Sequence, residues 1–223
     1  MTTPAASSIS LLEGLATTRA IRRYTADPLP DADLAEILWH AARAPSGTNR
    51  QPFRFLTLRR DDPEAAAARS LLGCSFRQSW TVKRRDLDAD GAPEPGSARQ
   101  RMQASMQHFV DHLEDTPAIV LVGLERYRAP NGLEGASVYP ACQNLLLAAR
   151  ALGYGGALTM WHLAVESQLR QLLGLPDEIA LVACITLGTP AGRHGPLRRR
   201  PLEQIVHDGR WGRPADWLGD RGR

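Results

Sequence analysis

Cysteine is scarce in this chain. Cys74, Cys142 and Cys184 are far apart and form no Cys-x-x-Cys pair, which argues against a disulfide framework and against a thiolate zinc site. Cys142 and Cys184 lie in apolar runs and read as core thiols. No apolar run approaches ~20 residues, so no membrane-spanning helix and no membrane partner are expected. The opening Met1-Thr2-Thr3-Pro4 is polar and lacks the basic segment of a signal peptide, which predicts a cytoplasmic protein. There is no internal repeat and no Gly-x-Gly-x-x-Gly. The broad basic stripe of a nucleic-acid binder is also missing, so no nucleic-acid partner is expected.

What is present suits one folded domain. Hydrophobic residues make up 43% of the 223 positions, enough for a buried core. No composition shift marks a boundary, so residues 1–223 read as a single unit. The net charge is +3, mostly an arginine excess, and it is concentrated. Arg19, Arg22 and Arg23 stand near the start, Arg198, Arg199 and Arg200 near the end. Two compact clusters suit one anionic group, since arginine forks match phosphate geometry. Either cluster alone would equally be a solvated basic surface.

Apolar spacing predicts a helix over 10–17 and a second with Asp31 as N-cap, where Leu34, Ile37, Leu38 and Ala41 share a face. A strand is expected over 53–58 and an alanine-rich helix over 61–72, ending near Gly73. Residues 75–97 are charged and close on Gly91-Ala92-Pro93-Glu94-Pro95-Gly96. They read as a variable surface or lid excursion, with Phe76 and Trp80 either pinning a loop or covering a pocket. A helix over 98–113 follows, with Met102, Met106, Phe109, Val110 and Leu113 as its packing stripe. His108 and His112 stand four apart on it, and without a third ligand in sequence they read as surface histidines, with no metal site expected. The run 117–124 is continuously apolar, as a strand buried on both faces would be. Residues 137–152 form the most apolar helix pattern, central or at a subunit interface. Gly153-Tyr154-Gly155-Gly156 stops it, and 157–161 reads as a short strand. That glycine turn either admits a ligand close to the backbone or only caps the helix. A helix over 165–173, a strand over 179–187 and a polar tail over 212–223 complete the pattern.

The least generic stretch is Arg43-Ala44-Pro45-Ser46-Gly47-Thr48-Asn49-Arg50-Gln51-Pro52-Phe53, which joins a helix to a strand. Pro45 and Pro52 restrict the backbone at both ends. Between them lie two hydroxyls and two carboxamides, and a carboxamide both donates and accepts. A neutral, flat ligand with alternating donors and acceptors along its edge would need such a set. A capped turn whose polar side chains bond only their own backbone would contain the same residues.

Taken together, four blocks resemble the FMN-dependent nitroreductase family over about residues 12–211. Arg19–Tyr24 (RAIRRY) looks like the family's R-S-x-R-x-F. Ala44–Phe55 (APSGTNRQPFRF) matches A-P-S-x-x-N-x-Q-P-W and is the most specific of the four. Gln143–Thr159 (QNLLLAARALGYGGALT) resembles Q-N-L-L-L-A-A-x-x-L-G-L-G. ITLGTP with the later RRRPLEQIVH resembles L-G-Y-P and R-x-P-L-E-E-V-V-H. Ala20 departs from the pattern, because the family has a serine there whose hydroxyl meets the phosphate. Only the Ala20 backbone N–H remains for that contact, with Arg23 as a possible compensation. Residues 75–97 have no firm counterpart.

The resemblance implies an α+β, three-layer fold: a mixed, mostly antiparallel central sheet flanked by helices, in an intertwined homodimer with FMN at the subunit interface. It implies phosphate contacts from Arg19, Ala20, Arg22 and Arg199, with Arg198 as a substitute. Pro45, Ser46 and Asn49 would come from the other subunit, and Gln51 would meet the ribityl chain or ring edge. The backbone at Leu158, Thr159 and Met160 would lie beneath the ring. The chemistry belongs to the flavin, so no protein side chain is named as catalytic, and His162 reads as a packed histidine. The implied activity is ping-pong transfer of electrons from NAD(P)H to a small-molecule acceptor, a nitroaromatic, quinone or similar flat compound. Reductive dehalogenation or flavin fragmentation on the same scaffold, and an FMN- or nucleotide-holding protein without turnover, are the alternatives.

Overall fold

The chain is organised around its most apolar strand. In the computed structural model, which describes residues 9–89 and 91–222, Ala118–Glu125 (β2) is buried along all but its last residue. The four residues read above for a signal peptide lie outside the described residues. β2 pairs antiparallel with Phe53–Arg59 (β1) on one side and with Ile179–Gly188 (β4) on the other. Gly155–Thr159 (β3) pairs only with β4, again antiparallel. The sheet order is therefore β1-β2-β4-β3, with β1 and β3 at opposite edges. Every ladder among the described residues is antiparallel, in keeping with the expected antiparallel character.

The continuous apolar run in β2 follows from helices covering both faces. Val120 and Val122 face a core closed by Asp31–Ala41 (α2) and Tyr139–Ala151 (α5). Ile119 and Leu121 face a second core closed by Ala66–Asp88 (α3), Ala98–Asp111 (α4) and Glu166–Leu173 (α6). Cys142 lies in the first core and Cys184 in the second, where burial pushes both thiols up to about 12, as inert packing groups. The ladder between β2 and β4 slips by one residue at Val122/Gly123. There the Leu181 N–H turns to the Glu166 carboxylate at 3.3 Å, an alternative partner of the kind a bulge needs.

Leu11–Thr17 (α1) starts as expected, with the Ser10 hydroxyl accepting from the Glu13 N–H. Asp31 is the first helical residue of α2, and Pro30 occupies the cap position. The largest correction is α3. The expected helix end at Gly73 and residues 75–88 of the excursion after it belong to one helix of 23 residues, while residues 91–97 are irregular, as expected of a surface excursion. Gly73 is tolerated in mid-helix because the Glu114 side chain occupies the space a Cβ would take. Phe76 and Trp80 are helical core residues, 0% and 2% exposed, not pins of a loop, and Trp80 also lines a cavity. Leu72, Phe76 and Trp80 continue one face across Gly73 at four-residue intervals. Arg69 on the same helix is buried and donates to the carbonyls of Leu58 at 2.6 Å, Glu114 at 2.7 Å, and Thr116. It ties α3 to the end of β1 and the approach to β2.

Candidate functional site

The segment around Arg19–Tyr24 is extended, not helical, and is held against the edge strand β3. Its Ile21 N–H donates to the Gly156 carbonyl at 2.9 Å. The Tyr24 hydroxyl donates to the Ile21 carbonyl at 2.6 Å and lies 2.7 Å from the Thr186 hydroxyl on β4. Burial raises the Tyr24 phenol, keeping it protonated. Two glycines permit this close approach. A Cβ on Gly155 would meet Ile21 at 2.5 Å, and one on Gly156 would meet the Thr186 carbonyl at 2.6 Å and Leu146 of α5 at 2.9 Å.

The result is a cleft of about 610 Å³ over the edge of β3. Arg19, Ala20, Leu158 and Arg199 line it, with Gln143 from α5 and Gly156. Arg19 and Arg199 are exposed and have no carboxylate partner among the described residues. Because the Gly156 carbonyl points away from β4, alternation along the ladder turns the Leu158 N–H and C=O outward as well. The cleft thus presents two unpaired guanidiniums and the free amide edge of a strand. That donor set fits a planar ligand carrying a phosphate.

Arg22 is placed apart from Arg19. In an extended segment, residues three apart point to opposite sides, and Arg22 lines a second cavity of about 270 Å³ across β3, together with Leu158 and Thr159. Arg22 is half-buried without a carboxylate partner among the described residues. Burial lowers its guanidinium, and the charge of Arg19 adds to this. Met160 and Arg198 line neither cavity. Met160 packs on the core beneath α5, and the Arg198 carbonyl accepts from Arg199 at 3.1 Å. Gly156 belongs to the glycine turn read as able to admit a ligand near the backbone; the cleft residues Gln143 and Leu197 were not singled out as site residues, although Gln143 belongs to the block matched at 143–159.

Pro45, Ser46, Asn49 and Gln51 lie at the other edge of the sheet, ahead of β1. Within one chain they are three strand spacings, roughly 14 Å, from the β3 edge. Their turn is held in an uncommon shape. Thr48, Asn49 and Gln51 have φ of +51°, +53° and +53°, a region that costs a non-glycine residue about 1–2 kcal/mol. The Ser46 hydroxyl accepts from the Gln51 N–H at 2.8 Å, so it does serve its own backbone. The Gln51 amide donates to the Asn49 side-chain oxygen at 3.2 Å. The Asn49 amide and the Gln51 side-chain oxygen remain exposed and unpaired among the described residues, a donor beside an acceptor.

His162 is fully buried just after β3 and lines neither cavity; burial lowers its pKa against the smaller opposing pull of the Leu181 and Thr159 backbone and of Glu166, and neither ring nitrogen meets a partner in good hydrogen-bond geometry. His108 and His112 stack with ring centroids 4.2 Å apart. Among the described residues no three His, Cys, Asp or Glu side chains gather as a metal site, and no helix is long and apolar enough to cross a membrane.

Sheet order and cleft together define an α+β protein with an arginine-lined cleft at a sheet edge. The sequence model of the Nitroreductase family matches residues 15–189, and the chain belongs to that family. It is 33% identical over 205 residues to an NADH dehydrogenase of Thermus thermophilus, covering 84% of this chain and 90% of that one. It is 29% identical over 187 residues to a 5,6-dimethylbenzimidazole synthase of Rhodospirillum rubrum, covering 79% and 80%. A candidate nitroreductase of Desulfovibrio desulfuricans, crystallised in complex with FMN, matches with a TM-score of 0.67 at 27% identity over 92% of this chain and 99% of that one.

Proposed function

We propose that this protein is a homodimeric FMN-dependent oxidoreductase that takes electrons from NAD(P)H and reduces flat conjugated acceptors such as nitroaromatics and quinones. The observation that carries the reading is the β3 cleft, with Arg19 and Arg199 lining it without carboxylate partners among the described residues and outward backbone amides along its floor. Arg19, Arg199 and the Ala20 N–H hold the phosphate, and Gln143 faces the ligand from α5. The outward Leu158 N–H stands where it can stabilise negative charge on a planar ring, as a fixed donor in a partly dry site does. The cofactor, when bound, supplies two-electron chemistry between NAD(P)H and the acceptor. A quinone taking two electrons and two protons becomes a hydroquinone; a nitro group taking the same becomes a nitroso group and releases water.

Sheet order supports a second copy. The carboxamide turn and the arginine cleft occupy opposite edges of one sheet, so one chain does not bring both to one ring. A partner placing its Pro45–Gln51 turn over this chain's β3 edge would. The exposed apolar side chains of Leu11, Leu12 and Leu15 on α1 and Trp39 on α2 support such an interface. The relatedness to an NADH dehydrogenase supports the nicotinamide donor.

The test is an absorbance spectrum of the purified protein under argon, before and after NADH or NADPH. The expected result is a flavin spectrum that bleaches with the nicotinamide and returns on adding a quinone. A flavin spectrum that neither nicotinamide bleaches would leave a flavin-holding protein without this turnover. Sedimentation should give twice the 24.4 kDa chain mass, and a folded, FMN-loaded monomer would refute the shared site.

A further inference from the structure

Strand β3 is a shared wall. Ala157 and Leu158 line the arginine cleft and also the second cavity of about 270 Å³. The rest of that cavity comes from α3, α4 and the turn after β3, through Trp80, Met102, Met106, Phe109 and Trp161. These walls are aromatic or thioether and suit a flat conjugated ligand. Trp80 presents its ring without an unmet polar edge, because its indole N–H donates to the Gln107 side-chain oxygen at 2.9 Å.

The charge at this cavity is of one sign. Arg22 and Lys83 line it, and no carboxylate does. Lys83 lies three residues after Trp80, one helical turn away on the same face of α3, and is exposed, so it stands at the opening. It has no ion-pair partner among the described residues. It is also the one lysine among the 27 basic residues of the chain. A lone ammonium at the rim of an aromatic slot, with a half-buried unpaired guanidinium deeper in, is complementary to an aromatic ring carrying one negative group.

We infer that this cavity is the acceptor subsite and that Lys83, with Arg22, makes it select aromatic acceptors bearing a carboxylate. The inference rests on the oxidoreductase reading for the word acceptor, but the selectivity has its own readout. The probes are 4-nitrobenzoate and its neutral, nearly isosteric partner 4-nitrobenzamide. Binding of each to the oxidised holoenzyme, without nicotinamide, is measured by titration calorimetry. kcat/KM for each is then measured with NAD(P)H. Comparing ratios between wild type and variant cancels the intrinsic reactivity of the two nitro groups.

Wild type should bind the carboxylate more tightly than the amide. Lys83→Gln should lower the carboxylate-to-amide ratio, in both Kd and kcat/KM, by about fivefold, the upper end for an exposed charge pair. Lys83→Glu should lower it further, and Lys83→Arg should restore it. The preference should shrink as ionic strength rises. Lys83 is exposed, so these variants should fold. Ratios that do not change across Lys83→Gln and Lys83→Glu overturn the subsite. Lys83-dependent carboxylate binding without reduction of either compound upholds the subsite and overturns the oxidoreductase reading instead.

Discussion

Removing the cleft arginines separates a phosphate site from a merely basic surface. Arg19 and Arg199 line one cleft, are exposed, and have no carboxylate partners among the described residues. No ion pair among the described residues therefore depends on their charge, and Arg19→Ala or Arg199→Ala should change stability by no more than about 0.5 kcal/mol. Each guanidinium facing a phosphate should form charge-assisted bonds worth about 1.5–3 kcal/mol. That corresponds to a loss of roughly 10- to 150-fold in FMN affinity for either variant. The double variant should lose less than the sum, since both groups face one dianion and are coupled. Arg22→Ala should behave differently: its guanidinium points into the cavity across β3, so FMN affinity should fall less than with Arg19→Ala. The assay is quenching of FMN fluorescence on titration of apo-protein at low and high ionic strength. The arginine losses should shrink at high salt, because part of the attraction is long-range and screened. Unchanged affinity in both Arg19→Ala and Arg199→Ala, with the fold intact by circular dichroism, would refute the phosphate assignment.

Asn49→Ala and Gln51→Ala should weaken FMN binding or shift its reduction potential, with little salt dependence because carboxamides are neutral; variants that match wild type in both would show that the turn serves only itself. Arg69→Met should destabilise the fold by about 3–5 kcal/mol, since it leaves the Leu58, Glu114 and Thr116 carbonyls without their buried donor; a urea midpoint within error of wild type would contradict this. Burial lowers the pKa of His162, so the native state stays neutral where the unfolded chain takes up a proton. That contribution to stability is complete above the unfolded value of about 6.5 and is lost as pH falls below it, at up to about 1.4 kcal/mol per pH unit. His162→Leu should flatten the fall in thermal midpoint between pH 6.5 and 5, and an unaltered slope would count against the unpaired neutral histidine.

The elements most legible in sequence were those whose pattern is local. The apolar run of β2, the four-residue spacing of α2 and the glycine stop after α5 are each readable within a short window, and all three stand where they were expected. The helix α3 was cut short because a glycine and a charged run look like a loop from inside the window. The glycine there answers to Glu114, 41 residues away, whose side chain lies where a Cβ at position 73 would be. Arg69 was passed over for a related reason: its three carbonyl partners come from β1 and from the stretch before β2, and no spacing announces them.

The site divides in the same way. Residue type alone allowed phosphate chemistry at the two arginine clusters and amide recognition at the Pro45–Pro52 turn, because a guanidinium fork and a carboxamide carry their donor geometry wherever the chain puts them, but it allowed a solvated basic surface and a self-capped turn as well. The four ordered blocks were enough to point to the family. Sheet order decided the rest. It set the turn and the cleft at opposite edges, so that joining them at one ligand would take a second subunit, and it fixed β3 as an edge strand with amides to spare. The extended backbone at Arg19–Tyr24 sent Arg19 and Arg22 to opposite sides of that strand, putting one guanidinium in the cleft and the other in the aromatic-lined cavity. A sequence determines which groups a chain can offer. Which of them face the same space depends on contacts between residues more than a hundred positions apart, and only the folded backbone sets those.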